Sequence, residues 1–223
     1  MKRDLFIKAL TKLLCGFAGI ALLLFLPAGT LRYGGGWLFL GLLFVPMLIM
    51  GSVLAVKNPA LLEKRLNAKE QEAQQKGVVL ISGLMFLAGF VTAGLSFRFQ
   101  WMPVPRGVVI GAAVVFLLGY LMYAEVLREN TYLSRTVEVQ ENQKVIDTGL
   151  YGIVRHPMYT ATILMFLAVP LVLGSLFSFF IFLIYPAAIV MRIGNEEKVL
   201  EKGLSGYAEY KQKVKYRLLP FIW

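Results

Sequence analysis

The sequence contains few of the residues that build metal sites and disulfides. Its 223 residues include one cysteine, Cys15, and one histidine, His156. A disulfide needs two cysteines, and a structural zinc site takes four ligands drawn mostly from cysteine and histidine. An intrachain disulfide is therefore excluded, and we expect no metal in the mechanism.

Charge is also scarce. Asp, Glu, Lys and Arg make up 16% of the chain, hydrophobic residues make up 58%, and the mean hydropathy is +0.68. These values exclude an ordinary soluble domain. Five runs contain no Asp, Glu, Lys or Arg, and the first four are each close to the roughly 20 residues that a membrane span needs. The runs are 13–31, 37–56, 78–97, 107–124 and 157–191.

The fifth run is too long for one span. Its 35 residues would form a helix of about 50 Å, against roughly 30 Å of hydrocarbon. Pro170 and Gly174 lie near its middle, where a chain bends. We predict a hairpin of two helices, 157–173 and 176–191, which either crosses the membrane or only dips into it. The fold class is then an all-α integral membrane protein with about six hydrophobic helices.

Basic residues alternate along the chain with the predicted spans. Of the 23 lysines and arginines, 20 lie in residues 1–12, 57–77, 125–156 and 192–217, and only Arg32, Arg98 and Arg106 lie elsewhere. Cytoplasmic loops collect such residues, so we expect a multi-pass protein of a cytoplasmic or internal membrane with both termini in the cytoplasm. The net charge of +10 would face lipid headgroups, and we expect no nucleic-acid partner.

The chain divides into two unequal parts. Residues 1–124 are predicted to form a scaffold of four transmembrane helices with an interfacial segment, 57–77, whose Leu61, Leu62 and Leu66 share one side of a short helix. The basic start and first apolar run also fit a signal peptide, but the alternation of charge favours a helix that is retained. Residues 125–223 are predicted to be catalytic, with a loop, the hairpin and C-terminal amphipathic helices.

The stretch "GLYGIVRHPMY" (149–159) places the only histidine just before the fifth apolar run. Proline favours the first turn of a helix and disfavours helical geometry in the residue before it. We therefore expect Pro157 to begin the membrane helix and Arg155 and His156 to project from a backbone break at the interface. Each could instead be an interfacial anchor, and Tyr151 and Tyr159 could be ordinary interfacial tyrosines.

A second cluster, "RIGNEEKVL" (192–200), begins where the hairpin returns to the same surface. Arg192 and Glu196 are four residues apart and face the same way on a helix, with Glu197 one step round. An exposed ion pair is the simpler interpretation, but guanidinium, carboxylate and imidazole groups that converge at a membrane boundary can also hold a zwitterionic cofactor. Tyr207 and Tyr210 could close over such a pocket or pack against the membrane face.

These motifs together resemble a known family. "GLYGIVRHPMY", "RIGNEEKVL" and "GYAEYKQKV" followed by "RLLP" are similar, over about residues 120–223, to isoprenylcysteine carboxyl methyltransferases and their relatives among phospholipid N-methyltransferases. The resemblance implies a helical membrane bundle with S-adenosylmethionine in a cytosol-facing pocket. It also implies three catalytic candidates, Arg155, Arg192 and Glu196, and as cofactor-binding candidates Tyr151, His156, Pro157, Tyr159, Glu196, Glu197, Tyr207 and Tyr210.

The resemblance favours methyl transfer to the carboxylate of an isoprenylcysteine-type or other hydrophobic substrate that enters from the bilayer. A carboxylate is already anionic at neutral pH, and an arginine could hold it through two hydrogen bonds. The alternative is a phospholipid N-methyltransferase, whose amine acceptor needs Glu196, Glu197 or His156 as a base. A nicotinamide-dependent reductase would need more spans, and a scaffold or transporter without catalysis is a further alternative.

Overall fold

The computed structural model describes residues 2–66, 73–134, 137 and 139–223, and in these ranges the fold is entirely helical. A single 3-10 turn, Gly149–Gly152, precedes the sixth α-helix. The helices are α1 (Lys2–Ala28), α2 (Gly34–Lys57), α3 (Pro59–Leu66), α4 (Ala73–Phe99), α5 (Arg106–Glu129), α6 (Pro157–Val172), α7 (Leu176–Phe182), α8 (Ile184–Gly203) and α9 (Tyr207–Lys213).

The predicted membrane helices are confirmed. Helices α1, α2, α4 and α5, and the continuous stretch formed by α7 and α8, are long and apolar enough to cross a membrane, and α6 is a shorter apolar helix. Large apolar side chains such as Leu22, Val45 and Leu118 are exposed on the outside of these helices. The chain is therefore a multi-pass membrane protein whose outer surface suits contact with lipid.

The segments between the helices lie at two opposite ends of the bundle. At one end, Lys12 Nζ donates a hydrogen bond to the Leu66 carbonyl (2.5 Å), and Lys64 Nζ donates one to Gln140 Oε1 (2.5 Å). We call this the basic end; it carries α3 and residues 130–134, 137 and 139–156. Which side of the membrane it faces stays a prediction, and Lys69 and Arg135, two of the cations behind that prediction, lie outside the described residues.

The opposite, far end is built around the turn between α6 and α7. Tyr33 donates a hydrogen bond to the Leu173 carbonyl (2.6 Å), Ser175 Oγ donates one to Ser96 Oγ (2.9 Å), and Pro103 pairs with Ser175 through the backbone. The tip of the hairpin thus meets the loops that follow α1 and α4. Both arms of the hairpin extend through the whole bundle rather than dipping into one side of it.

The predicted first arm and turn of the hairpin are confirmed, and its second arm needs a correction. Helix α6 ends at Val172, and the chain reverses at 173–175, where Gly174 has a left-handed φ of +75°. Pro170, expected near the bend, lies inside α6. The second arm also continues to Gly203 instead of ending at 191, because the helix-forming stretch "EEKVLEK" extends it past the charge-free run that set the predicted boundary.

The predicted C-terminal amphipathic helices are mostly absent from the described residues. Only α9, of seven residues, follows α8, and residues 214–223 run without helix. Their backbone bonds instead to the start of α6: the amide of Arg155 donates to the Tyr216 carbonyl and that of His156 to the Arg217 carbonyl, each at 2.9 Å. Helix α3 fits its prediction, since Leu61 and Leu62 are buried and Leu66 is partly buried.

Small residues allow the membrane helices to approach closely. An added Cβ at Gly94 in α4 would lie 2.5 Å from the Leu24 carbonyl oxygen of α1, and one at Gly119 in α5 would lie 2.8 Å from the Met165 side chain of α6. Lipid is as apolar as leucine, so membrane helices associate through such close packing rather than through a hydrophobic driving force. The α5–α6 contact matters most here, because it fixes the helix that begins beside the site.

We predict that Gly94→Ala destabilises the bundle. The new methyl group would collide with the backbone of α1, and overpacking of this kind costs typically about 1–3 kcal/mol. The measurement is thermal unfolding in detergent. Gly83→Ala in the same helix is the control, since no atom lies within 4 Å of its added Cβ; it should leave the midpoint unchanged or raise it. Equal midpoints for the two variants would contradict the close α1–α4 packing.

Candidate active site

A pocket opens at the basic end of the bundle between α6, α8, α9 and the segment that follows α5. All of its walls come from residues 130–210, within the part predicted to be catalytic. The lining residues are Asn130, Tyr132, Leu133, Ser134, Val137, Gln143, Lys144, Val145, Ile146, Tyr151, Arg155, His156, Met158, Tyr159, Arg192, Glu196, Leu200, Leu204, Tyr207 and Tyr210.

The start of α6 supplies the histidine. Pro157 occupies the first helical turn, and His156 is the preceding N-cap residue with φ of −126° and ψ of 58°, outside the helical region. The predicted backbone break is therefore confirmed. The ring of His156 is buried and lies nearly parallel to that of Tyr159, with 5.7 Å between ring centroids. The break turns the imidazole towards α8, where two carboxylates meet it.

Glu197 is the centre of a buried ion cluster. Its Oε1 accepts hydrogen bonds from Arg155 Nε (2.8 Å) and lies 3.2 Å from His156 Nε2, while its Oε2 accepts from Arg217 Nε (3.0 Å) and Nη2 (2.8 Å). Arg155 Nη1 also donates to the carbonyls of Val214 (2.8 Å) and Lys215 (2.9 Å). Glu197 and Arg155 are almost fully buried. Their hydrogen bonds connect α8 and residues 214–217 to the residues just before α6.

Glu196 belongs to a second chain of polar contacts, which faces the pocket. It accepts a short hydrogen bond from the Tyr159 hydroxyl, which in turn accepts one from Arg192 Nε (2.8 Å). Its Oε1 lies 3.9 Å from His156 Nδ1. The side chain of Glu196 is 23% exposed, against 4% for Glu197. Of the two adjacent glutamates, Glu196 is the one that a ligand in the pocket can reach.

Three tyrosines complete the pocket beneath α9. Tyr210 donates to the Tyr151 carbonyl (2.8 Å), and the Tyr151 hydroxyl accepts from Asn130 Nδ2 (2.9 Å). The Tyr207 hydroxyl is buried and has no hydrogen-bond partner among the described residues. Burial, and to a lesser degree the nearby Glu197 and Glu196, raises the pKa of Tyr207 well above its usual value. Its hydroxyl therefore stays protonated at neutral pH and can donate a hydrogen bond to a ligand.

The structure brings together most of the residues predicted from sequence. Eight of them line the pocket, while Pro157 and Glu197 lie behind its wall and support it. Their roles toward a cofactor or substrate stay predictions. The residues that line the pocket are Tyr151, Arg155, His156, Tyr159, Arg192, Glu196, Tyr207 and Tyr210.

Sequence reasoning missed several supporting residues. Asn130 reaches Tyr151, and Arg217 neutralises Glu197, although both lie in segments without periodicity. Arg65 of α3 donates to the Ser134 carbonyl (3.0 Å) and to the Tyr123 hydroxyl, so the first half of the chain holds one wall of the pocket. The polar stretch "RENTYLS" (128–134) directly after a span was the available signal for Asn130.

The fold and the pocket define an integral membrane protein of the helical kind, with a polar site at one end of an apolar bundle. Residues 107–205 match the family model described as phospholipid methyltransferase. The match covers somewhat less than half of the chain, and over this range it agrees with the resemblance found in the sequence. The matched range includes the start of α6, both glutamates of α8 and most of the pocket lining.

A reductase is also among the similar proteins. The Delta(14)-sterol reductase of Mus musculus is 26% identical over 164 residues, which cover 66% of this chain and 39% of the reductase. The chain thus spans about two fifths of the length of the curated relative that it matches. Both comparisons support a membrane enzyme.

We predict that Glu197→Gln destabilises the protein strongly. The substitution removes the negative charge between Arg155 and Arg217 and leaves a buried guanidinium without a counterion. Breaking a buried ion pair in this way costs about 3–5 kcal/mol. The free energy of unfolding can be measured in detergent by denaturant titration.

The control for this prediction is Glu201→Gln, one helical turn further along α8. Glu201 pairs with Lys211 at the surface, where its side chain is 41% exposed, and an exposed pair contributes at most about 1 kcal/mol. A Glu197 variant as stable as the Glu201 variant would show that the buried cluster is not needed for the fold.

Proposed function

We propose that the protein is an S-adenosylmethionine-dependent methyltransferase that acts on a lipophilic acceptor. The observation that carries the proposal is the pocket at the basic end. In it the Glu196 carboxylate, the Arg192 guanidinium and the Tyr207 hydroxyl, which has no hydrogen-bond partner among the described residues, face one cavity that apolar side chains also line. The phospholipid methyltransferase match over residues 107–205 supports the reaction type. We further propose that the basic end faces the cytoplasm, because 20 of the 23 lysines and arginines lie in the sequence segments 1–12, 57–77, 125–156 and 192–217, which are predicted for that side.

The chemistry of the pocket fits this cofactor. S-adenosylmethionine carries a carboxylate, an ammonium group and a ribose, together with an aromatic adenine. Arg192 can pair with a carboxylate and Glu196 with an ammonium group. Tyr207 can donate a hydrogen bond to a carboxylate or ribose oxygen. Apolar side chains suited to pack against a flat aromatic ring line the rest of the cavity: Leu133, Val137, Val145, Ile146, Met158, Leu200 and Leu204.

The bound cofactor would supply an activated methyl group on a sulfonium, so the protein mainly has to position the acceptor. Effective transfer needs the reacting atoms about 3–3.5 Å apart and in line. The hydrogen-bonded series Arg192–Tyr159–Glu196 holds its side chains in fixed positions along the pocket wall, and His156 packs against Tyr159. Such residues would orient both reactants and exclude water from the site.

We propose a carboxylate acceptor of the isoprenylcysteine type as the first candidate. A carboxylate needs no base, because it is ionised at neutral pH. Arg192 is the arginine suited to hold it, because Arg155 is engaged with Glu197 and two backbone carbonyls. We therefore propose a positioning role for Arg155 instead of the contact with substrate or cofactor that the resemblance implied.

The second candidate is an amine acceptor on a phospholipid headgroup, and the description of the matching family favours it. An ammonium group must lose a proton before it can attack. Glu196 is suited to take that proton, since it is the partly exposed glutamate of the pocket and lies within reach of both Tyr159 and His156.

We predict saturable binding of S-adenosylmethionine and S-adenosylhomocysteine to the purified protein in calorimetric titration. Tyr207→Phe should weaken binding by roughly 5–30-fold, because a buried hydrogen bond contributes about 1–2 kcal/mol. Glu196→Gln and His156→Ala should weaken it further or abolish it. Tyr185→Phe is the matched control, since that hydroxyl bonds to Thr162 and does not line the pocket.

The same titration distinguishes the rival chemistry. Saturable binding of NADPH, with none of S-adenosylhomocysteine by the folded wild-type protein, would overturn the methyltransferase proposal and favour a reductase. Binding of neither molecule would also reject it.

The nature of the acceptor can be read from the product and from the pH dependence. With radiolabelled S-adenosylmethionine in proteoliposomes, a carboxylate acceptor gives a methyl ester that alkali cleaves, and its rate should change little above about pH 6. An amine acceptor gives an N-methyl product from which alkali does not release the labelled methyl group, and its rate should rise with pH as the ammonium group loses its proton. We expect the alkali-labile product with a farnesylated cysteine; a stable product with phosphatidylethanolamine alone would replace the first candidate by the second.

A further inference from the structure

Residues 218–223 form a tight turn with an unusual distribution of apolar side chains. The amides of Arg217, Leu218 and Leu219 all donate to the Trp223 carbonyl, at 2.9–3.2 Å, so the turn closes on itself. Leu218 is buried in the main core, and Trp223 packs against that core. In contrast, Leu219, Phe221 and Ile222 are 48%, 87% and 78% exposed.

The position of this turn along the bundle follows from α6. Thr160, the fourth residue of α6, donates a hydrogen bond from Oγ1 to the Leu218 carbonyl (2.9 Å). Helix α6 has 16 residues, or about 24 Å, which is shorter than the roughly 30 Å of hydrocarbon. Because its far tip meets the far end of the bundle, its first turn lies at or inside the edge of the hydrocarbon, and the 218–223 turn lies beside it.

The tip of the turn has an uncommon backbone. Phe221 has φ of +66°, a left-handed conformation that is rare for a bulky residue and tends to be retained where it serves a function. The Phe221 ring lies 5.3 Å from that of Tyr216, between centroids, and remains largely exposed. The residues just before the turn include three basic ones: Lys213 and Lys215, which are exposed, and Arg217, which is half-buried. This order of basic residues followed by apolar ones is typical of a segment at a membrane interface.

We propose that residues 218–223 insert into the bilayer leaflet at the basic end, with Leu219, Phe221 and Ile222 in contact with lipid acyl chains, and that this insertion holds the start of α6 in place. The link to the site is direct. The same segment supplies the Tyr216 and Arg217 carbonyls that bind the amides of Arg155 and His156, and the Arg217 side chain binds Glu197. The lipid contact thereby stabilises the backbone that positions His156, whatever reaction the pocket catalyses.

Insertion can be tested by collisional quenching. In a Cys15→Ala background, Ile222→Cys is labelled with an environment-sensitive fluorophore in phosphatidylcholine nanodiscs that contain lipids brominated on the acyl chain. Leu118→Cys, exposed midway along α5, is the lipid-contact control, and Gln212→Cys, exposed in α9, is the aqueous control. We expect quenching at 222 close to that at 118. Quenching as weak as that at 212 would overturn the insertion.

The link to the site can be tested by hydrogen exchange of the Arg155 and His156 amides in the same nanodiscs. The double variant Phe221→Ser with Ile222→Ser should exchange about tenfold faster at these amides, because the segment that accepts their hydrogen bonds loses its lipid contact. The matched control is Leu22→Ser with Leu26→Ser, which replaces two largely exposed apolar side chains of α1 and should leave both amides protected. Unchanged exchange in the first variant would reject the link.

Discussion

The site depends on one buried carboxylate, that of Glu197. An ionised group away from water is stable only if partners replace its hydration, and here Arg155, His156 and Arg217 do so. These partners come from two segments, 155–156 and 217, which are distant in sequence from each other and from Glu197. Satisfying a single charge therefore fixes where α6 begins, where α8 lies against it and how residues 214–217 cross both. The pocket is the space that this arrangement leaves on the adjacent face of α8.

The two adjacent glutamates of α8 occupy different environments, since one supports the fold and the other faces the pocket. Successive residues of a helix point about 100° apart, so Glu196 faces the pocket while Glu197 faces the interior. The interior glutamate fixes the backbone, and the pocket glutamate keeps an accessible carboxylate next to Tyr159 and Arg192. The scaffold half of the chain contributes through Arg65, which holds the segment after α5 over the pocket. The polar site is thus supported from both halves of an otherwise apolar protein.

Much of this could be predicted from the sequence, and the rest could not for physical reasons. Charge-free runs defined the membrane helices because hydrocarbon excludes charge over a fixed thickness, and Pro157 located the break beside His156 because proline restricts the preceding residue. The length of α8 and the role of Arg217 escaped prediction. The polar end of α8 is helical although it lies beyond the charge-free run, and Arg217 reaches Glu197 through an irregular segment that no periodicity reveals.

The attachment of the hairpin tip at the far end limits where a molecule from the bilayer could enter the pocket. Hydrogen bonds of Tyr33, Ser96 and Ser175 attach the tip to the neighbouring segments. The close helix contacts at Gly94 and Gly119 oppose separation of the helices there. Under the proposed function, a long-chain acceptor from the bilayer would therefore enter between the helices at the end of the bundle that holds the pocket. The side chains that admit the acceptor would then be the ones that recognise it.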